Sequence, residues 1–464
     1  MALSANTVFE VRNGGSDTNG GGWVTGSSAS GGTDWSQQTA AQYSVTDGVT
    51  AGSTIITSAT AAFGADVVGN IMYVQGGTGA VSSGWYQIIT RTSSTTITVD
   101  RLTGLTSGTG ATLKIGGAFA SPGTAAGVAT VAGMTTFIKY SSTPFTISST
   151  TNNVSGGCIS GTNATAYAGY DTTRSLYNTD ANRATVRLSS GTGSATAIFT
   201  AVNNVYLVQS LIVDANSVTT SQCLNTSGEF FNVKAMNATT AGIQQNGATG
   251  RAILCEVTGC TATPILISIA SFCVSHDNIL TSPTNAASIL VAAGGVATNC
   301  ISYNNNGDGY LGSPSATPTT FLNCVAYANG GAGFNVQNNN TATFVNCISE
   351  SNTGSGFRTN TGSLSMINCA TFGNSSARFF NAGGGRQWTD LNPITGSGSF
   401  FTNAAGGVFT LNNTAGAGAL CRAAGFPASV PTSTSNADYA DVGTLQSSAG
   451  GGGTTTTIYG VMGS

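Results

Sequence analysis

The acidic side chains of this sequence are few, which restricts the acid–base chemistry it can perform. Six lie between residues 201 and 380, namely Asp214, Glu229, Glu256, Asp277, Asp308 and Glu350. Hydrolysis of a glycosidic bond needs two carboxyl groups about 5–10 Å apart. In the repeat register described below the six share no column, and Asp277 and Asp308 are offset by roughly 13 Å along a strand. The sequence therefore predicts no catalytic pair within one chain, and a site built from acids of two subunits stays open.

Groups that could bind a metal or cofactor are equally scarce. The chain has ten cysteines and a single histidine, His276, and it contains no Cys-x-x-Cys motif. A zinc site needs three or four such ligands at characteristic spacings. We therefore predict neither a metal nor a cofactor, and we expect the thiols to be reduced.

The cysteines instead mark an internal repeat. Cys300, Cys324, Cys347 and Cys369 are separated by 24, 23 and 22 residues, and each follows an asparagine. Less regular copies place Val233, Cys255 and Cys273 in the same slot. A slot that accepts either valine or cysteine is typical of a small buried hydrophobic position.

Further columns keep the same register. With the cysteine slot as position zero, position +5 contains asparagine, position +9 glycine and position +10 an aromatic residue. The asparagines are Asn278, Asn305, Asn329, Asn352 and Asn374. The glycines include Gly309, Gly333 and Gly356, and the aromatics are Tyr310, Phe334, Phe357 and Phe379.

This period of 22–24 residues predicts a three-sided parallel β-helix. Short β-rich runs are broken by Asn and Gly turns, and the Leu-x-x-Leu-x-Leu frame of leucine-rich repeats is absent. In a parallel β-helix identical positions stack about 4.8 Å apart. We therefore expect asparagine ladders at the bends, stacked aromatics, a cysteine column in the core, and glycines that give a tight corner its backbone freedom.

The composition agrees with stacking. Only 7% of the 464 residues are charged, 64 are glycine and the formal net charge is −3. Repeated like charges would repel one another on every rung. The low charge also argues against a disordered chain, a coiled coil and a nucleic-acid binder, which needs a basic stripe.

One outward column stands out at position +3. Consecutive rungs place His276, Tyr303, Tyr327 and Glu350 there, on the side opposite the cysteines by strand alternation. Aromatic side chains combine flat apolar area with a polar group. The column is interpreted either as a glycan-binding or subunit-contact strip, or as cross-rung stacking that only stabilises the sheet.

We expect four segments along the chain. Residues 1–45 form an opening and capping segment, 46–115 a small β module, 116–446 the parallel β-helix, and 447–464 a C-terminal tail that contacts another subunit. The start lacks the features of a signal peptide, and the longest apolar run, residues 264–274, is too short to span a membrane. These features predict synthesis in a host cytoplasm and no membrane span.

Three stretches carry a family resemblance. The opening FEVRNGGSDTNGGGW, the rung pattern NC-x-S/A-x-x-N-x-G-x-G-F and the closing FTLNNTAGAGALCRAAGFP…ADYADVGTLQ resemble those of right-handed parallel β-helix repeat proteins. With the inserted module, they look like phage-encoded tailspike or fibre-type virion proteins. The resemblance specifies the fold but not the function, because β-helices occur both in enzymes and in structural proteins without activity.

The resemblance implies a bacteriophage virion protein, first of all a tailspike or tail fibre that binds the host surface. It implies a homotrimer, contacts with other virion proteins and surface polysaccharide as a further partner. A decoration or fibre protein of the phage head is a second hypothesis. A polysaccharide-degrading hydrolase or lyase is a third, which the scarcity of ionisable groups disfavours.

Overall fold

The computed structural model describes residues 3–27, 32–79, 81–104, 107–128, 130, 133–147, 165–176, 178, 181–189, 197–200, 205–219, 221–245, 250–281, 286–312, 317–337, 341–381, 388–413, 417–422, 424–425 and 443. The predicted tail 447–464 lies outside these residues. The protein is all-β, with about 52% strand and 6% helix. It forms two compact units, Met1–Val213 with Thr226–Gly228, and Asp214–Asn225 with Glu229–Ser464.

The first unit combines a small barrel with parallel strands. Its strands are β1 (Thr7–Val11), β2 (Gly22–Val24), β3 (Tyr43–Ala51), β4 (Ile55–Thr57), β5 (Ile71–Gln75), β6 (Gly84–Ser93), β7 (Thr96–Val99), β8 (Ser107–Ile115), β9 (Met134–Lys139), β10 (Phe145–Ile147), β11 (Thr165–Tyr170), β12 (Ala184–Leu188), β13 (Ala197–Thr200), β14 (Val205–Gln209) and, reaching the boundary, β15 (Leu211–Asp214). A short helix α1 (Pro122–Gly127) begins after Ser121, whose hydroxyl accepts the Thr124 N–H.

The barrel spans residues 43–115. Its antiparallel strands follow the order β3-β4-β7-β6-β5-β8 and close between β8 and β3. Alternate residues of each strand face inward, so Ile56, Tyr86, Ile97 and Leu113 form part of one buried core. Beside it, β1, β9, β11 and β14 pair in parallel.

Buried charges hold the opening segment of this first unit. Glu10 is fully buried, and its carboxylate is paired with Arg12 Nε at 2.6 Å and Arg174 Nη2 at 2.8 Å. Arg174 also reaches Asp34 at 2.7 Å, and the Tyr170 hydroxyl donates to Glu10. These contacts join residues far apart in the chain, and no sequence pattern indicated them.

The second unit contains the regular repeat. Its strands are β16 (Gln222–Thr226, reaching the boundary), β17 (Glu229–Phe231), β18 (Lys234–Met236), β19 (Ala241–Gln245), β20 (Arg251–Ile253), β21 (Glu256–Thr258), β22 (Thr263–Ser271), β23 (Val274–His276), β24 (Ala287–Thr298), β25 (Ile301–Tyr303), β26 (Asp308–Gly312), β27 (Thr319–Leu322), β28 (Val325–Tyr327), β29 (Phe334–Val336), β30 (Thr341–Val345), β31 (Ile348–Glu350), β32 (Phe357–Thr359), β33 (Ser363–Ile367), β34 (Ala370–Phe372), β35 (Phe379–Asn381), β36 (Trp388–Leu391), β37 (Ile394–Thr395), β38 (Phe401–Asn403) and β39 (Val408–Leu411).

These strands build the predicted parallel β-helix, with about 8 turns of roughly 23 residues. Sheet 1 runs β18-β21-β23-β25-β28-β31-β34-β37. Sheet 2 contains β19, β26, β29, β32 and β35, and sheet 3 contains β17, β20, β27, β30, β33 and β36. The long strands β22 and β24 pair in both sheets 2 and 3 across a register shift.

The residue before the cysteine slot makes the bend from sheet 3 into sheet 1, and in five rungs it is an asparagine, whereas Leu254 and Phe272 take its place before Cys255 and Cys273. Asn232, Asn299, Asn323, Asn346 and Asn368 all have a positive φ, between 51° and 55°. Asparagine tolerates this left-handed conformation better than most residues. In each Asn-Cys pair of the sequence, the asparagine therefore suits the left-handed backbone of the bend, and the cysteine fills the core position that follows it.

The asparagines at position +5 form the expected ladder at the next bend. Each side chain donates from Nδ2 to Oδ1 of its neighbour, at 2.8 Å for Asn278 to Asn305 and 2.9 Å for Asn305 to Asn329. The ladder continues at 3.0 Å to Asn352 and 2.9 Å to Asn374. Because Asn278, Asn305, Asn329 and Asn352 are buried, the ladder satisfies groups that water cannot reach.

The interior is filled by stacked columns. Tyr310 stacks on Phe334 with ring centroids 4.7 Å apart, and Phe334 on Phe357 at 5.0 Å. Phe379 is in register with Phe357 but packs on Trp388, at 4.7 Å. The nine described cysteines are all buried, including the predicted column Cys300, Cys324, Cys347 and Cys369.

The glycines at position +9 have a different role from the one predicted. None of Gly309, Gly333 and Gly356 has a positive φ, so backbone freedom is not what the corner needs. A Cβ on Gly333 would collide with Ser349 Oγ, and one on Gly309 would lie 2.6 Å from a carbonyl oxygen of the next rung. Glycine is required because successive rungs approach closely.

Replacing Asn329 with alanine is expected to lower the free energy of unfolding by roughly 2–4 kcal/mol, because buried donors of the ladder lose their acceptor. Urea unfolding followed by circular dichroism measures this. Asn374→Ala is the control: this half-exposed amide ends the ladder, so water can replace it and the loss should be smaller. Equal losses would show that the ladder adds nothing beyond local packing.

The thiols of Cys223, Cys255, Cys260, Cys273, Cys300, Cys324, Cys347, Cys369 and Cys421 should not react in the native protein. All are buried, and burial raises the pKa of groups such as Cys255 and Cys273, which keeps the reactive thiolate scarce. Ellman's reagent followed by peptide mass spectrometry tests this. Modification of any of the nine before unfolding would contradict the sealed core.

Candidate functional site

The outer face of sheet 1 changes character along the solenoid. At position +1 it carries Lys234 and then Glu256, followed on later rungs by Val274, Ile301 and Val325. The apolar part is covered by residues 399–425, here called the strap, of which 399–413, 417–422 and 424–425 are described. The charged residues Lys234 and Glu256 lie on the rungs that precede this apolar cluster.

The strap packs through aromatic side chains. Phe409 lies with its ring centroid 5.2 Å from that of Tyr303 and 5.8 Å from that of Tyr327. Phe401 lies 6.5 Å from Tyr327, and Phe400 6.5 Å from Phe372. Offset and edge-on ring contacts of this kind add to the burial of apolar area, and they fix the strap to several successive rungs.

The structure brings the four residues of the predicted strip into one column. His276 pairs in register with Tyr303, Tyr303 with Tyr327, and Tyr327 with Glu350. The rings of His276 and Tyr303 are stacked 4.9 Å apart at 9°. The faces of the two rings therefore meet each other. A binding role for this strip stays a prediction.

Glu350 differs from the other three because it is buried and accepts a backbone hydrogen bond from the strap. It is 1% exposed, and its Oε2 accepts the Phe400 N–H at 2.9 Å. Burial raises the pKa of Glu350, although hydrogen bonds from Ser399 and the Phe400 N–H oppose the change. In this structure the carboxylate fastens the strap.

The polar end of the face contains a cluster of interacting groups, the Glu256 cluster, formed by Lys234, Glu256, His276, Asp277 and Tyr303. Glu256 Oε1 lies 2.7 Å from Lys234 Nζ and 3.1 Å from His276 Nε2. His276 Nδ1 lies 2.7 Å from Asp277 Oδ2. Two carboxylates therefore occupy opposite edges of one imidazole ring.

These contacts set the protonation of the cluster. Burial would lower the pKa of His276, but hydrogen bonds and charge from Glu256 and Asp277 raise it above its usual 6.5. Burial would raise the pKa of Glu256, but hydrogen bonds and charge from His276 and Lys234 bring it below 4.5. Burial, together with the charges of Asp277 and Glu256, raises the pKa of Tyr303 to about 12.

The Glu256–His276 ion pair therefore stabilises the fold over a defined pH range. The raised pKa of His276 gives a contribution that is complete below pH 6.5 and is lost as the pH rises through that pKa. The lowered pKa of Glu256 gives one that is complete above pH 4.5 and is lost as the pH falls through it.

The Glu256 cluster was not predicted from the sequence. Glu256 at position +1 meets His276 at position +3 of the next rung, so the two residues share no column of the repeat. The available signal was Lys234 and Glu256, which are directly opposed in neighbouring strands β18 and β21. Opposite charges at one repeat position on successive rungs predict a contact.

The remaining acids of the repeat serve local structure. Asp214 accepts Asn237 Nδ2 at 2.9 Å. Asp308 accepts the Ala332 N–H at 2.6 Å and Asn335 Nδ2 at 2.5 Å, and burial raises its pKa. The described residues contain no group of three or more His, Cys, Asp or Glu side chains that could hold a metal ion.

Comparisons with known proteins agree with the architecture. Residues 222–372 match the family model described as Right handed beta helix region. This match agrees with the parallel β-helix of the second unit. No helix in the described part of the chain is long and apolar enough to cross a membrane.

Similar solved structures include pectate lyase Pel9A, with 14% identity and a TM-score of 0.40 over 68% of this chain and 88% of that one. The mannuronan C-5 epimerase AlgE6 A-module of Azotobacter vinelandii has 12% identity and a TM-score of 0.37, over 57% and 91%. The tailspike protein gp49 from Pseudomonas phage LKA1 has 10% identity and a TM-score of 0.16, over 77% and 66%. These likenesses do not assign a function, and a sequence search of curated proteins gives no match.

The pKa of His276 can be measured without assignment work, because it is the single histidine of the chain. Proton NMR titration of its ring should give a value above 6.5. Glu256→Gln should lower that value by removing the neighbouring negative charge. Glu229→Gln, which alters the separate Glu229–Arg251 pair, should leave it unchanged. A wild-type value at or below 6.5 would contradict the described pairing.

Proposed function

We propose that this chain is a bacteriophage virion protein of the tailspike or tail-fibre type that binds polysaccharide on the host surface and assembles as a homotrimer. The observation that carries the proposal is the Glu256 cluster. In a chain with only 7% charged residues, several ionisable groups meet on one outer face beside aromatic rings. Such groups on a rigid sheet are suited to hydrogen-bond a ligand.

The geometry of the solenoid suits a linear polymer. Outward side chains on successive rungs repeat about every 4.8 Å, so a column offers contacts at regular intervals along the solenoid axis. The backbone hydrogen bonds of sheet 1 hold these side chains in register. A ligand that is itself a chain of similar units can follow such a column without a deep pocket.

The virion assignment is supported by the sequence resemblance of the opening, the rungs and the closing segment. Cytoplasmic synthesis and release within a particle are part of the same proposal. The resemblance to phage tailspike and fibre proteins implies a homotrimer, and within this proposal the tail 447–464 contacts another subunit. Sedimentation equilibrium, which should give three times the mass of one chain, and particle imaging test the assembly and its location.

A second candidate function, polysaccharide hydrolysis, is favoured by one specific observation. Glu256 and Asp277 both contact the His276 ring, so two carboxylates lie near one proton carrier. Hydrolysis requires a group that holds a proton near neutral pH, and here the raised pKa belongs to His276. Release of reducing ends from host capsule or lipopolysaccharide separates this activity from binding alone.

Binding to the host surface tests the leading proposal. Purified protein should bind cells of the propagating host and their extracted polysaccharide, and His276→Ala should weaken binding about tenfold or more, because Glu256 and Asp277 lose the ring that holds them in place. Arg251→Ala, on another sheet and equally a loss of one basic group, is the control. Equal binding by wild type and a folded His276→Ala variant would refute the assigned face.

A further inference from the structure

One oxygen of the Glu256 carboxylate is buried without a partner. Its Oε1 receives both Lys234 Nζ at 2.7 Å and His276 Nε2 at 3.1 Å. Its Oε2 is inaccessible and has no hydrogen-bond partner among the described residues. The residue as a whole is 6% exposed. Both available donors therefore converge on one oxygen and leave the other unsatisfied.

Such an atom needs a donor. Removing a carboxylate oxygen from water without a hydrogen bond costs more than doing so for a neutral group. Buried polar atoms in folded proteins are normally paired, and an exception calls for a water molecule, a ligand or a functional reason. Protonation does not relieve Glu256, because Lys234 and His276 keep its pKa low.

The two side chains that contact Glu256 are themselves partly exposed. The side chain of Lys234 is 28% exposed and that of His276 is 16% exposed. Lysine has a long flexible stem, so Lys234 Nζ can leave Glu256 without a change in the backbone. Asp277, with a side chain 57% exposed, stands at the rim of the same cluster.

The charges indicate which ligand fits. The two positive groups, Lys234 and His276, are already paired with Glu256 and Asp277. What the cluster still offers is acceptor capacity, at Glu256 Oε2 and on exposed Asp277. A neutral sugar hydroxyl donates to such oxygens, whereas an anionic sugar would bring its own carboxylate against them.

We propose that Glu256 Oε2 accepts a hydroxyl of a neutral hexose unit, that Asp277 accepts a second hydroxyl, and that Lys234 moves aside to admit the sugar. This inference rests on the proposed polysaccharide-binding function and specifies its ligand class. The sugar would bind at the polar end of sheet 1, beside the strap. Polymers of uronic acids should bind poorly there.

The single histidine provides a direct reporter. Wild-type protein is titrated with neutral oligosaccharides of glucose, galactose and mannose, and separately with oligogalacturonate, while the ring protons of His276 are followed by NMR. At least one neutral series should shift the His276 signals saturably, and oligogalacturonate should not. A shift with the acidic series alone, or with neither series, would overturn the proposal; in the latter case an ordered water would satisfy Oε2.

Two variants test the assigned oxygens. Glu256→Gln should weaken the neutral ligand about tenfold or more, because a charged acceptor is lost. Asp277→Asn changes an exposed group, so it keeps the test valid if Glu256→Gln does not fold, and it should weaken the same ligand. Glu229→Gln is the charge-matched control and should bind as wild type.

The variants also separate this site from the broader function. If folded Glu256→Gln and Asp277→Asn proteins bind host cells as wild type does, the proposal of a hexose site is wrong, and another part of the chain binds the host. If wild-type protein binds neither host cells nor their polysaccharide, the proposed function itself fails. Each result therefore points to one of the two claims.

Discussion

The constraint on which this structure depends is the parallel register between successive rungs. Each backbone N–H in a short strand finds its acceptor on the neighbouring rung, and the side chains must then meet residues of equivalent position. Asparagine beneath asparagine becomes an amide ladder, and phenylalanine beneath phenylalanine becomes a stack. Charge is scarce for the same reason, since a repeated charge would face its own kind on every rung.

The register explains why much of the fold could be predicted from the sequence. Stacking demands repetition, so the columns containing Cys324, Asn329 and Phe334 are visible as nearly equal spacings along the chain. The glycine column was visible too, but its cause was not. Whether Gly333 serves a left-handed turn or a close approach depends on what the next rung places against it, and here that is Ser349.

Features that break the repeat could not be predicted from its spacing. The strap belongs to no column, so nothing in the spacing showed that Phe409 would cover Tyr303 or that Glu350 would accept the Phe400 N–H. The Glu256–His276 contact runs diagonally between two columns. Both features join positions that the repeat treats as unrelated, and both lie on the outer face of sheet 1, where the candidate site is found.

The strap also implies an order of events during folding. Its aromatic residues are far along the chain from the rungs that they cover, and they contact several rungs at once. It can dock only after those rungs exist, because its binding surface is assembled by the stacking itself. We therefore expect strap docking to follow the stacking of these rungs in folding, and its release to expose their apolar side chains.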